Sequence, residues 1–149
     1  MDVANPLTWV EVADRFSAAP TWWVATVGPA GPHAVPVWGV LVRGALHFYG
    51  EPSAVRSRNI ATDPRIVVHL ESGSSVLILH GAATVGGRAG GDADVCAAYA
   101  AKYADPSDVA YLPDAPGMES ALLFTVAPTR AIAWQLGTSD DVEPRRWHA

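Results

Sequence analysis

The chain has 149 residues, half of them hydrophobic, with a formal net charge of −5 and a pI near 5.4. That length is one domain, able to bury about 70% of its unfolded surface, so its core needs no staple. The acidic balance and the missing basic stripe argue against nucleic acid, and the single cysteine, Cys96, excludes an internal disulfide framework and a cysteine zinc site.

No apolar run approaches the ~20 residues of a membrane span. Met1–Pro6 has no basic region followed by an apolar one, so no signal peptide is expected, and the predicted location is the cytoplasm. Nine of the ten basic residues are arginine and only Lys102 is lysine. Six tryptophans imply flat apolar surfaces to cover, in the core, on a ligand or on a partner.

In chain order, residues 7–18 form the first predicted helix. Thr8 and Glu11 have capping-box spacing, and Val12 and Phe16 repeat at helical period behind Trp9. Residues 21–27 are β-rich, residues 28–32 are a turn, and residues 33–42 are the returning strand of a hairpin. Pro36 inside that strand marks an edge or a bulge, since proline cannot donate to a ladder. A third strand covers 45–49. Residues 53–63 give a short helix with Ser53 as its N-cap, ended by Asp63-Pro64, and 66–70 a buried strand.

The second half continues the pattern. A strand at 76–85 leads into a flexible glycine-rich connection at 86–91, and Asp92 caps a helix running to about Ala104. A loop with three prolines spans 105–117. Strands follow at 120–126 and 130–136, separated by Ala127-Pro128-Thr129, and the tail ends Arg146-Trp147-His148-Ala149. About seven strands in hairpin order with three inserted helices predict a mainly β, antiparallel, closed sheet in a single domain over 1–149.

The catalytic inventory is sparse. His33, His47, His69 and His80 fall in predicted strands without metal-ligand spacing, no Gly-x-Ser-x-Gly elbow occurs, and Glu71, Glu119 and Asp140-Asp141 form no acid–base pair. A cofactor that carries the chemistry would leave the protein to supply an anion seat, an apolar slot and walls. Arg56, Arg58 and Arg65, three arginines within ten residues at a predicted helix, offer such a seat, a solvated helix face being the alternative.

Residues 56–65 (Arg-Ser-Arg-Asn-Ile-Ala-Thr-Asp-Pro-Arg) and 67–71, with Val35-Pro36-Val37-Trp38, Tyr99…Lys102-Tyr103 and Arg146-Trp147, resemble the pyridoxamine 5'-phosphate oxidase-like, FMN-binding split-barrel proteins. They are most similar to the flavin/deazaflavin oxidoreductase branch. The resemblance implies a Greek-key split barrel of six or seven strands and about three helices, forming a homodimer with the cofactor, coenzyme F-420 or FMN, between subunits. It implies that the tricyclic ring rests on the backbone of Val35, Pro36, Val37 and Trp38. It places the phosphate on the helix start with Arg56, Ser57, Arg58 and Asn59. Trp147 and the helix carrying Lys102 would wall the groove, and Arg145, Arg146 and Lys102 are candidates to meet the acidic tail of F-420. Relatives often carry Ser-Arg-Lys or Arg-x-Lys ahead of the Arg-Asn pair, where this chain has Ala54, Val55 and Arg56.

The implied activity is hydride transfer between bound F-420 and a small unsaturated substrate, with no protein residue named as catalytic. An FMN-binding flavoprotein and a cofactor carrier without turnover are the alternatives. True pyridoxamine phosphate oxidase activity is not expected.

Overall fold

The computed structural model describes residues 5–137 and 143–149; the Asp140-Asp141 pair lies outside them. Helix α1 (Trp9–Ala18) starts as its sequence predicts. The Thr8 hydroxyl accepts from the Glu11 amide and the Glu11 carboxylate accepts from the Thr8 amide, which satisfies two orphan donors. Its buried face carries Val12 and Phe16.

Strands β1 (Trp22–Gly28) and β2 (Gly31–Val37) form the predicted hairpin. The returning strand, however, is not one strand to Val42. It stops at Val37, and β3 (Val40–Val42) begins after Trp38-Gly39 and pairs with β4 (Ala45–Gly50). The cause is at Gly39, whose amide donates to the Tyr103 hydroxyl and whose carbonyl accepts from Lys102 and Tyr103. Its ladder capacity is filled by side chains more than 60 positions away.

Helix α2 (Val55–Thr62) leads into β5 (Arg65–His69) and β6 (Ser75–Arg88). The predicted flexible connection after Val85 is instead three more residues of β6 and one tight turn at Ala89–Gly91. Helix α3 (Ala93–Lys102) is capped by Asp92, as expected. The two strands predicted around Pro128 are a single strand, β7 (Leu122–Gln135). Pairing slips from His80↔Arg130 to Gly81↔Pro128, so Thr129 is the extra residue of a bulge that accommodates the proline. The tail forms β8 (Arg145–His148) on β7.

All pairings are antiparallel, in the order β2-β1-β5-β6-β7-β4-β3 with β8 on β7. The two ends of that order, β2 and β3, are joined through Trp38-Gly39. The sheet therefore curls round and closes at a split, which is the split barrel that the resemblance implies. Trp22, Val24, Phe48, Leu79 and Phe124 fill the interior, with Phe16 of α1 packed among them. Each such fully buried side chain stabilises the fold by about 1.5–3 kcal/mol. A second cluster, Val40, Val95, Tyr99, Tyr103 and Leu123, seals α3 against β3 and β7.

Candidate cofactor site

The site begins where α2 begins. Ala54, not Ser53, occupies the N-cap, so no side-chain oxygen satisfies the first amides of this helix. Arg56 and Ser57 follow in the first turn. Ser57 is buried, and its hydroxyl has no hydrogen-bond partner. Arg56 is half-buried: its Nε is buried without a partner, and Nη2 reaches only the Tyr49 carbonyl at 3.4 Å. Burial holds its pKa below the ordinary arginine value. Gly50 makes room for this guanidinium, since a Cβ there would lie 2.5 Å from Nη2.

Among the described residues, three buried side-chain N or O atoms lack a partner: Arg56 Nε, Ser57 Oγ and His33 Nδ1. They belong to one end of the barrel. His33 stands opposite Thr26 in the β1–β2 register, and the Thr26 hydroxyl accepts from Asn59 of α2 at 3.1 Å. Leaving a buried polar atom unpaired costs about 1–3 kcal/mol. A phosphate would relieve the two that are neighbours in the first turn of α2, Arg56 Nε and Ser57 Oγ, because guanidinium and hydroxyl are both donors. The residues present therefore fit an anionic group carried by a cofactor. Sequence reasoning set His33 aside for lack of a metal partner. The available signal was its position on the face shared with Thr26, one residue beyond the hairpin's proline.

The other members of the arginine-rich stretch have different duties. Asn59 is buried, and its carboxamide oxygen packs on Gly28, where a Cβ would lie 1.9 Å away. Its carboxamide nitrogen donates to Thr26, which fastens α2 to β1. Arg58 is on the exposed side of the helix. Arg65 is bound at 2.6 Å to Asp63, and that hydrogen-bonded pairing pulls the Asp63 carboxyl down to about 2.

Strand β2 ends the sheet order, so its outer edge is unpaired among the described residues. Val35 and Val37 face the core, opposite the inward Val24 and Trp22, while Ala34 and Pro36 are exposed. Pro32 and Pro36 lack N–H groups, so they must occupy positions whose backbone points away from β1. Their carbonyls, with the Ala34 carbonyl and amide, make an outward edge rich in acceptors.

The sequence profile of the pyridoxamine 5'-phosphate oxidase family matches residues 9–135. The chain belongs to that family. A conserved hypothetical protein of Mycobacterium tuberculosis superposes with TM-score 0.72 at 19% identity, over 95% of this chain and 96% of that one. An F-420 reductase gives 0.62 at 19% identity over 79% and 94%. A heme binding protein from Mycobacterium smegmatis gives 0.63 at 21% identity over 94% and 58%. At these identities the likeness is one of fold. No curated protein matches the chain in sequence.

Three residues that the family resemblance assigns to the groove make contacts within the chain. The Lys102 ammonium donates to the Gly39 carbonyl at 2.7 Å and the Phe16 carbonyl at 3.3 Å, and lies 5.0 Å from the Trp22 ring centroid. Phe16 is in the last turn of α1, where a cation complements the helix dipole. Burial pushes the Lys102 pKa down to about 8. Trp38 stacks on Tyr103 with centroids 4.3 Å apart, and its carbonyl accepts from Tyr99. Trp147 stacks on Trp9 of its own chain at 4.9 Å, clasping α1 to the end of the sheet. Its neighbour Arg145 is bound to Glu11 and to the carbonyls of Asn5 and Pro6.

Proposed function

We propose that this family member binds a phosphate-bearing tricyclic cofactor, coenzyme F-420, and serves hydride transfer between it and a small unsaturated substrate. The observation that carries the reading is the pair of unpaired buried groups at the uncapped start of α2, Arg56 Nε and Ser57 Oγ. These groups and the free amides of the first turn would hold the phosphate. The outward edge of β2, at Ala34 and Pro36, would carry the ring. Bound F-420 supplies a carbon that donates or accepts hydride.

FMN is the second reading, and the charge of the seat ranks the two. Relatives place cations where this chain has Ala54 and Val55, so Arg56 is the single permanent cation in the first turn. One cation suits the singly charged phosphodiester of F-420 better than the phosphomonoester of FMN.

A homodimer belongs to the same proposal. Trp23, His69, Ile78 and Ile132 line up across four adjacent strands on the outer face, all partly exposed. A second copy packed there would bury this apolar row and close the groove beside β2.

The test is the absorbance and fluorescence of the purified protein incubated with each cofactor. Saturable F-420 binding below tens of micromolar, followed by oxidation of the reduced form by a quinone or enone, is expected. Binding without any turnover would leave a carrier. Absence of F-420 binding in that range would sink the proposal, and a yellow protein as purified would favour FMN.

A further inference from the structure

The loop between α3 and β7 carries two groups that the α2 seat does not use. The first is Tyr111, which closes the single helical turn Val109–Tyr111 and is 61% exposed. Its backbone is nonetheless held: the Tyr49 hydroxyl donates to the Tyr111 carbonyl, and the next residue, Leu112, packs on the second core cluster. The Tyr111 ring stands at 88° to Trp38, with centroids 6.4 Å apart. Trp38 is half-buried and already lies parallel to Tyr103, so Trp38 and Tyr111 form a right-angled aromatic corner backed by a stack.

The second group is Asp108, at the start of the same turn. Residues 105–117 contain three aspartates and no basic residue. Asp105 is occupied by Ser107. Asp108 is half-buried, and its carboxylate has no cation partner among the described residues. Burial, with this carboxylate adding to it, pushes the Tyr103 hydroxyl up to about 12, which puts the negative charge beside the aromatic stack. Lys102, the cation of α3, is held by the Gly39 and Phe16 carbonyls instead. Aromatic faces attract cations, and an unpaired carboxylate adds a counter-ion. An anion would be repelled here, and an uncharged ring would gain stacking alone.

We propose that this corner takes a flat organic cation of the C=N⁺ class as the hydride acceptor, stacked on Trp38 and Tyr111 with Asp108 as its counter-ion. Trp38 follows Pro36 by two residues, so the corner adjoins the β2 edge that would carry the cofactor ring. The redox step rests on the F-420 reading; the binding does not. In that step the reduced cofactor is the reductant. Its hydride forms a C–H bond at the cation's ring carbon, the C=N π pair withdraws onto nitrogen, and the cofactor's N–H proton passes to water. The products are a neutral amine and the oxidised cofactor, and the protein donates no proton. That suits the residues present. The Tyr49 and Tyr103 hydroxyls are both pushed up to about 12, chiefly by burial, and are poor acids.

Fluorescence titration of the purified protein without cofactor, in its own solution assembly, tests the site with three probes of one shape. They are N-methylacridinium, acridine at a pH where it is neutral, and acridine-9-carboxylate. The cation should bind at least ten times more tightly than acridine, and the anion more weakly than either. Asp108→Asn should remove the preference for the cation and leave acridine unchanged, with an unchanged melting temperature. Tyr111→Ala should weaken cation and acridine alike, and Tyr111→Phe should restore both. Arg56→Ala should alter none of these affinities. With F-420 bound, Asp108→Asn should raise KM for N-methylacridinium at least tenfold, leaving kcat and the turnover of a neutral quinone unchanged. Equal affinity for cation and acridine, no binding of any probe, a cation preference that survives Asp108→Asn, or loss with Arg56→Ala would overturn the assignment. A protein that binds the cation as described but not F-420 would refute the cofactor reading and leave the cation site standing.

Discussion

Two polar clusters flank the barrel, and they differ in how fully their atoms are paired. Around α3, the Tyr99 hydroxyl bonds the Trp38 and His47 carbonyls, the Tyr103 hydroxyl bonds Gly39 and Pro20, and Lys102 bonds Gly39 and Phe16. At the start of α2, Arg56 and Ser57 leave buried atoms unpaired, and His33 adds a third. Both clusters hold a half-buried cation. Only the second offers unmet bonding capacity, which is the property a ligand uses. Charge alone would have ranked Lys102 and Arg56 together; hydrogen-bond satisfaction separates them.

The contrast can be broken by mutation. The largest effect belongs to the Arg56→Ala, Ser57→Ala double variant. Cofactor affinity should fall by about 1.5–3 kcal/mol, tenfold to more than a hundredfold, in direct titration. Its melting temperature should hold, since the lost groups make no strong bond within the chain. Tyr99→Phe should do the reverse. The Trp38 and His47 carbonyls lose the hydroxyl proton they share, stability drops by about 1–3 kcal/mol in denaturant titration, and cofactor affinity stays the same.

Ser57→Ala alone sharpens the point. Removing a buried hydroxyl without a partner should leave the free protein as stable or up to about 1 kcal/mol more stable, while weakening the cofactor. Equal losses in both would make Ser57 structural.

The α3 cluster also carries a pH dependence. Lys102 titrates near 8 in the folded protein against 10.5 for ordinary lysine. Between those values the unfolded chain binds more protons, so unfolding free energy should rise with pH across that window. Below pH 8 both states are protonated and the destabilisation is present in full. Lys102→Met should abolish the rise in a melting-temperature series. Its carbonyl partners keep other donors, Trp22 Nε1 on Phe16 and the Tyr103 hydroxyl on Gly39.

Local chemistry made much of this molecule legible in advance. The capping box of α1, the β1–β2 hairpin and the Asp92 cap depend on residues a few positions apart. The misjudged features depend on distant partners. The break at Gly39 is made by Tyr103 and Lys102. The continuity of β7 through Pro128 needs the facing Gly81 of β6. In the proposed site, the family pattern names Arg56, Ser57 and Asn59 alike, because an eight-residue helix with a weak apolar face does not reveal which of them has bonding partners inside the chain. His33 was missed because its meaning comes from Thr26 across the hairpin and from α2 beyond it.

The central claim is that the start of α2 seats a phosphate. Its most direct test compares FMN with riboflavin, and F-420 with its dephosphorylated deazaflavin, by fluorescence titration of wild type and of the Arg56→Ala, Ser57→Ala double variant. The phosphate should improve affinity at least tenfold for the cofactor that binds, and the double variant should reduce that ratio to about one, with the phosphate-free ring unaffected. A ratio near one in the wild type, or a ratio that survives the double variant, would contradict it.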